Sequence, residues 1–273
     1  MNIQSAPPSL DKLRWIMQQL RDPQHGCPWD IKQTFQSIVP HTIEEAYEVA
    51  AAIEQGDFDE LPNELGDLLF QVIFYSQLGQ EQNRFTFDTV LAEICDKLIR
   101  RHPHVFGDVS LTSDEEIKAN WEQQKTDERQ QKNNHELTSM LADIPHNLPA
   151  LSQAQKIQKR CAHVGFDWTE IDPVVDKIEE ELQEVKQELQ ADMVDNKAAI
   201  TEELGDLLFA VVNLCRHVGA DAETLLRQAN QKFTKRFMQV EQQVANSKRS
   251  FEQHSLTQLE QYWQQVKNAE RIK

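Results

Sequence analysis

Glycine is scarce, with 8 in 273 residues, and none lies in a GxxxxGK[ST] loop, so a P-loop nucleotide site is excluded. Four cysteines, Cys27, Cys95, Cys161 and Cys215, stand far apart with no CxxC pair, which reads as the reduced, packed thiols of a cytoplasmic protein. No apolar run approaches the length of a membrane span, and no basic segment followed by an apolar one opens the chain. A soluble protein with no membrane partner is therefore expected. Basic residues are outnumbered, 28 Lys and Arg against 45 Asp and Glu, for a formal charge of -17. Such a surface repels polyanions, so no nucleic-acid polymer is expected as a partner. A compact anion bridged by divalent cations stays compatible with it. None of the nine histidines follows a glutamate by three, which removes the Glu-x-x-His ligand pattern of di-iron bundles.

What the chain has in quantity is Gln, Glu, Leu, Ala and Lys, residues that favour helix. It also repeats itself. ELGDLLF occurs as Glu64 to Phe70 and again as Glu203 to Phe209, and upstream of each copy stands EExxE, as Glu44-Glu45-xx-Glu48 and Glu180-Glu181-xx-Glu184. Downstream come Lys97 with Arg101 and Lys232 with Arg236, then Trp121 with Lys125 and Trp263 with Lys267. Features in one order, twice, mark an internal duplication of more than a hundred residues. We read residues 1–126 and 137–273 as two helical domains, joined by a polar linker or helix end at 127–136 that has no apolar periodicity. Leu204, Leu207, Leu208, Val211, Val212 and Cys215 form an i, i+3, i+4, i+7 stripe, repeated by Leu65, Leu68, Leu69, Val72 and Ile73. Thr42 with Glu45 suggests a capping box, and Asp172-Pro173 an N-cap followed by a first-turn proline. The expected fold class is all-α: two tandem antiparallel helical bundles.

The acids sit at helical spacing. Glu181 and Glu184 share one face, as do Glu203 and Asp206 on the next helix. Antiparallel packing would converge four or five carboxylates at the seam. Like charges so close repel unless a cation neutralises them, and an all-carboxylate set suits hard ions, Mg²⁺ or else Mn²⁺. By the same pattern Glu44, Glu45, Glu48, Glu64 and Asp67 form a metal set in the first repeat. Gly66 and Gly205 each cost about 0.5–1 kcal/mol against alanine in a helix; close approach of the partner helix is the expected return. Taken singly, each Glu is more often a capping or solvated residue, but capping does not require EExxE and ExxD twice in register. Lys232 and Arg236 are natural phosphate clamps in so acidic a chain, whereas Trp263 and Lys267 read first as packing with a snorkelling lysine. Three function classes compete at this point: a metal-dependent enzyme acting on a phosphorylated small molecule, a di-iron bundle, already removed, and a non-enzymatic metal-binding helical interaction or regulatory protein.

These motifs, together with GCPWD (Gly26 to Asp30), HTIEEAYEV (His41 to Val49) and KIQKRCAHVGFDW (Lys156 to Trp168), resemble the MazG family of the all-α NTP pyrophosphatase superfamily across nearly the whole chain. The resemblance implies Mg²⁺-dependent hydrolysis of NTPs and dNTPs to monophosphate and pyrophosphate by water attack at the α-phosphorus, and a homodimer. Relatives that share the helical scheme act on dUTP or phosphoribosyl-ATP, which are the narrower alternatives. It further implies metal ligands at Glu181, Glu184, Glu203 and Asp206, a water-orienting acid at Glu180, and substrate contacts at Asn230, Lys232 and Arg236. Weaker candidates for substrate contact are Lys156, Arg160, Trp168, Trp263 and Lys267, with Phe166 as a second aromatic for the base. The N-x-K-F-x-x-R pattern is intact from Asn230 to Arg236, while Cys95 and Leu98 replace its Asn and Phe in the first repeat. Catalysis is therefore expected mainly in the second half.

Overall fold

The computed structural model describes residues 7–132, 139–190 and 196–271. Among them every regular element is helical, and no helix is long and apolar enough to cross a membrane. The chain forms two compact units, Met1–His135 and Glu136–Lys273. The stretch 127–136, read above as a polar linker or helix end, is helical as far as Lys132; its remaining residues lie outside the described ones.

The first unit contains α1 (Leu10–Leu20), α2 (Pro28–Lys32), α3 (Phe35–Gln55), α4 (Leu61–Glu81), α5 (Phe87–Arg101), α6 (Pro103–Phe106) and α7 (Asp114–Lys132). α3 and α4 are its long pair, with α1 laid across α4. Met17, Ile38, Ile73, Phe74, Leu78 and Phe87 form the core where α1, α3, α4 and α5 meet. The start of α3 differs from the expected one. Thr34 is the cap: its Oγ1 accepts from the Ser37 N–H at 3.2 Å, and Ser37 Oγ accepts from the Thr34 N–H at 2.8 Å. Thr42 lies inside the helix, where its hydroxyl sits 3.2 Å from the Ile38 carbonyl and 2.9 Å from the Tyr75 hydroxyl of α4. Glu45 is thereby released from any capping role.

The second unit contains α8 (Ala150–His163), α9 (Asp172–Gln190), α10 (Lys197–His217), α11 (Ala222–Asn246) and α12 (Leu256–Arg271), with a 3-10 turn at Phe251–Gln253. Asp172 is the first residue of α9 rather than its cap, and the Ile171 carbonyl accepts from Val174 and Val175. The α9–α10 pair repeats α3–α4, and α8 packs on α10 as α1 does on α4. Gln155 of α8 ties the bundle to the start of α11: its Nε2 donates to the Ala220 carbonyl at 2.7 Å and its Oε1 accepts from the Ala222 N–H at 3.0 Å. α11 and α12 form a hairpin around Val240, Val244 and Val266. HPHVFGD interrupts the matching helix in the first unit, because Pro103 ends α5 after Arg101 and begins the short α6.

Candidate metal and substrate site

α9 and α10 place Glu181, Glu184 and Glu203 so that one carboxylate oxygen from each lies within 4.8 Å of the others. α3 and α4 do the same with Glu45, Glu48 and Glu64. In each repeat two acids come from EExxE and the third is the Glu of ELGDLLF. Asp206, Glu44 and Asp67 stand beside these triads and not within them. The negative charge of Asp206 acts on Glu203, and that of Asp67 on Glu45 and Glu64. Three carboxylates meet within 4.8 Å in each unit, and the charges of Asp206 and Asp67 bear on them from beside.

The meeting has an electrostatic cost. Loss of hydration, followed by the charges of its neighbours, pushes the Glu184 carboxyl up; Glu181 is the first of those neighbours. Glu203 moves the same way through desolvation and the charges of Glu184 and Asp206. Glu45 and Glu64 repeat the behaviour in the first unit. Glu181 is buried, 5% exposed, and its Oε2 has no hydrogen-bond partner. A buried carboxylate oxygen with no donor, on a residue that converges with two further carboxylates, is poorly satisfied by protein alone. Oxygen-only donors of this kind fit Mg²⁺ or Mn²⁺.

Lys177, which the sequence reading passed over, lies inside the second cluster. Its Nζ is 2.7 Å from Glu181 Oε1 and 2.9 Å from Glu180 Oε1, and the two carboxylates hold the ammonium above its ordinary pKa. The signal was present: a lysine three and four residues before two glutamates on a helix. In register with it in the first repeat is His41, whose Nδ1 is 3.6 Å from Glu44. There the buried Gln71 donates its amide to Glu45 at 3.4 Å, at a position that is Ala210 in the second repeat.

The other candidates divide. Asn230 and Lys232 are exposed on α11. Arg236 is engaged with Glu270 of α12 at 2.7 Å. Trp263 packs against Phe233, ring centroids 5.0 Å apart, and lines the α11–α12 core, which is the packing role. Arg160 donates to the Met140 carbonyl at 2.6 Å and pairs with Asp143, which fastens the segment before α8. Lys156 is exposed and Lys267 half-buried. Trp168 and Phe166, 44% and 81% exposed, flank Asp167, which Arg216 and His217 of α10 anchor. The strongest influences on Glu184 and Glu203 all come from α9 and α10, with none from α11 or α12.

Gly66 and Gly205 overturn the close-approach reading: a Cβ built on either meets nothing within 4 Å. Both face open space, and the acid triads form without their help.

A family model described as the MazG nucleotide pyrophosphohydrolase domain matches residues 33–106 and 170–241, the segments that carry the two triads. The chain is 56% identical over 261 residues to a protein of Escherichia coli strain K12 named nucleoside triphosphate pyrophosphohydrolase, covering 96% of this chain and 98% of that one. It is 40% identical over 260 residues, 95% and 96% of the two chains, to a Thermotoga maritima protein named nucleoside triphosphate pyrophosphohydrolase/pyrophosphatase MazG. Bacillus subtilis YabN, uncharacterized, is 40% identical over 258 residues, 94% of this chain and 51% of YabN.

Proposed function

The chain belongs to the MazG nucleotide pyrophosphohydrolase family, and on that premise we propose that it hydrolyses nucleoside triphosphates, ribo and deoxy, to the monophosphate and pyrophosphate with Mg²⁺, mainly in its second unit. The observation that carries the reading is the convergence of Glu181, Glu184 and Glu203, together with the buried, unpartnered Oε2 of Glu181. These three residues would hold the ion, with Asp206 beside them. Mg²⁺, or Mn²⁺ in its place, supplies neutralisation of phosphate charge and a more acidic water.

The chain's own groups do the rest. Glu180 is exposed next to the triad. Its carboxylate orients the attacking water and holds the proton given up as the bond to the α-phosphorus forms. Asn230 contacts the substrate, and Lys232 and Arg236 on the same helix neutralise the departing pyrophosphate. Arg236 exchanges Glu270 for phosphate when it does so. Trp168 and Phe166 present exposed aromatic faces to the base, on a loop held by Asp167. We assign the second unit the larger share because the first lacks the Asn and Phe of the clamp.

The protein acts as a homodimer in this reading, supported by apolar side chains left exposed on α10 and α11, Leu208 and Phe233 among them. The test is product analysis with each NTP and dNTP. Monophosphate and pyrophosphate in equal amounts, abolished by EDTA, are expected. Diphosphate with orthophosphate would place attack at the γ-phosphorus and refute the mechanism. Turnover confined to dUTP or phosphoribosyl-ATP would transfer the protein to a narrower substrate.

A further inference from the structure

Lys177 takes no part in the chemistry set out above, yet it bears on every acid of EExxE in the second unit. Its ammonium touches Glu181 and Glu180 at 2.7 and 2.9 Å, and its charge reaches Glu184. Glu181 is nearly buried, so the ammonium is a close partner for a carboxylate that water scarcely reaches. A divalent ion bound to Glu181 would face the ammonium at short range, and like charges at that distance repel strongly. Lysine can leave: its stem is flexible, and the side chain is 36% exposed.

We propose that Lys177 is the resident counter-ion of the second cluster, which a divalent cation must displace from Glu181 in order to bind. Metal uptake there is an exchange of cations rather than a simple addition. The first cluster is built differently. His41 lies 3.6 Å from Glu44, outside the triad, and Glu45 is met by the uncharged amide of Gln71. No ammonium has to leave, so the two clusters form two affinity classes, with the second the weaker in the absence of nucleotide. The proposal rests on reading the second cluster as a metal site.

The test is Mn²⁺ binding, read from the paramagnetic resonance of the free ion, on the full chain carrying Glu48→Gln and Glu64→Gln to silence the first cluster. Adding Lys177→Met is expected to tighten Mn²⁺ binding by about tenfold, the equivalent of one pKa unit of competition. Lys177→Arg, which keeps a cation, should not tighten it. A thermal melt supplies the second readout. In EDTA the Lys177→Met protein melts below the parent, because the carboxylates face one another without a cation; saturating Mg²⁺ closes the gap. Lys177→Gln serves in the same way if the Met variant fails to fold. Unchanged or weaker Mn²⁺ affinity in the Met and Gln variants, with binding still abolished by Glu184→Gln, overturns the displacement and leaves the metal site standing. Absence of Mn²⁺ binding in the parent background overturns both.

Discussion

At the scale of the residue, each acid takes its role from the charges that meet it. Glu48 and Glu184 occupy the same place in the repeat, and each belongs to a converging triad. What separates them is the clamp downstream, complete at Asn230, Lys232, Phe233 and Arg236 but reduced to Lys97 and Arg101 in the first unit. Glu184→Gln should lower kcat/KM for an NTP by about 100-fold or more, the loss expected when charge stabilisation is removed from such a site, while Glu48→Gln stays near the parent. Equal losses in steady-state kinetics would show that both units turn over. The triads were half legible in the sequence. Spacing on one helix tells which acids share a face, but the register of the partner helix decides which of them meet, and no spacing carries that register. Lys177 was missed because an i, i+3 or i, i+4 lysine is so ordinary an exposed partner that only its contact with the buried Glu181 distinguishes it.

Elements followed the apolar period closely, since stripes at i, i+3, i+4 and i+7 leave little choice but amphipathic helix. Their ends were harder to read. Thr42 with Glu45 matches a capping box in spacing, yet α3 starts at Phe35 and holds Thr42 within it. The glycines of α4 make an instructive pair. Gly66 has open space where a Cβ would be, whereas a Cβ on Gly79 would stand 2.7 Å from the Phe85 ring. Gly66→Ala should therefore stabilise the chain by about 0.5–1 kcal/mol through helix propensity, and Gly79→Ala should destabilise it by about 1–3 kcal/mol through overpacking. Urea unfolding of the two variants decides; a loss of stability in Gly66→Ala would mean that another surface covers that position. α7 offers a test of pH dependence. Its Glu128 receives the Arg100 and Arg101 guanidiniums of α5, whose hydrogen bonds hold its carboxyl down at about 2. A lowered carboxylate contributes stability above its unfolded value of 4.5 and loses it as pH falls toward 2. Glu128→Gln should cost about 1–2 kcal/mol at neutral pH, after allowance for solvent screening. That difference from the parent should vanish as the urea series is taken down through pH 4.5 toward 2.

For the whole molecule, the duplication explains why two acid triads exist but not what covers the helices that carry them. α10 buries Ala210 and Val212 within its own unit, yet Leu204, Leu208 and Val211 stay 42%, 59% and 40% exposed at i, i+4 and i+7. α4 leaves Leu65, Leu69 and Val72 in the corresponding places. A charge of -17 keeps a chain soluble but does not by itself cover an apolar stripe, and monomers rarely leave such stripes bare. On the homodimer reading a second copy of the chain would cover the stripe, since an isologous contact sets the same apolar patch against itself. Sedimentation equilibrium of the parent should therefore give twice the 31.7 kDa of one chain. Leu208→Glu, which places a carboxylate in the middle of the α10 stripe, should shift the mass to that of one chain while leaving the helical circular dichroism in place. A parent that sediments as a single chain would refute the homodimer. A Leu208→Glu variant that stays dimeric would move the contact away from α10, to the exposed face of α11 around Phe233 and Met238.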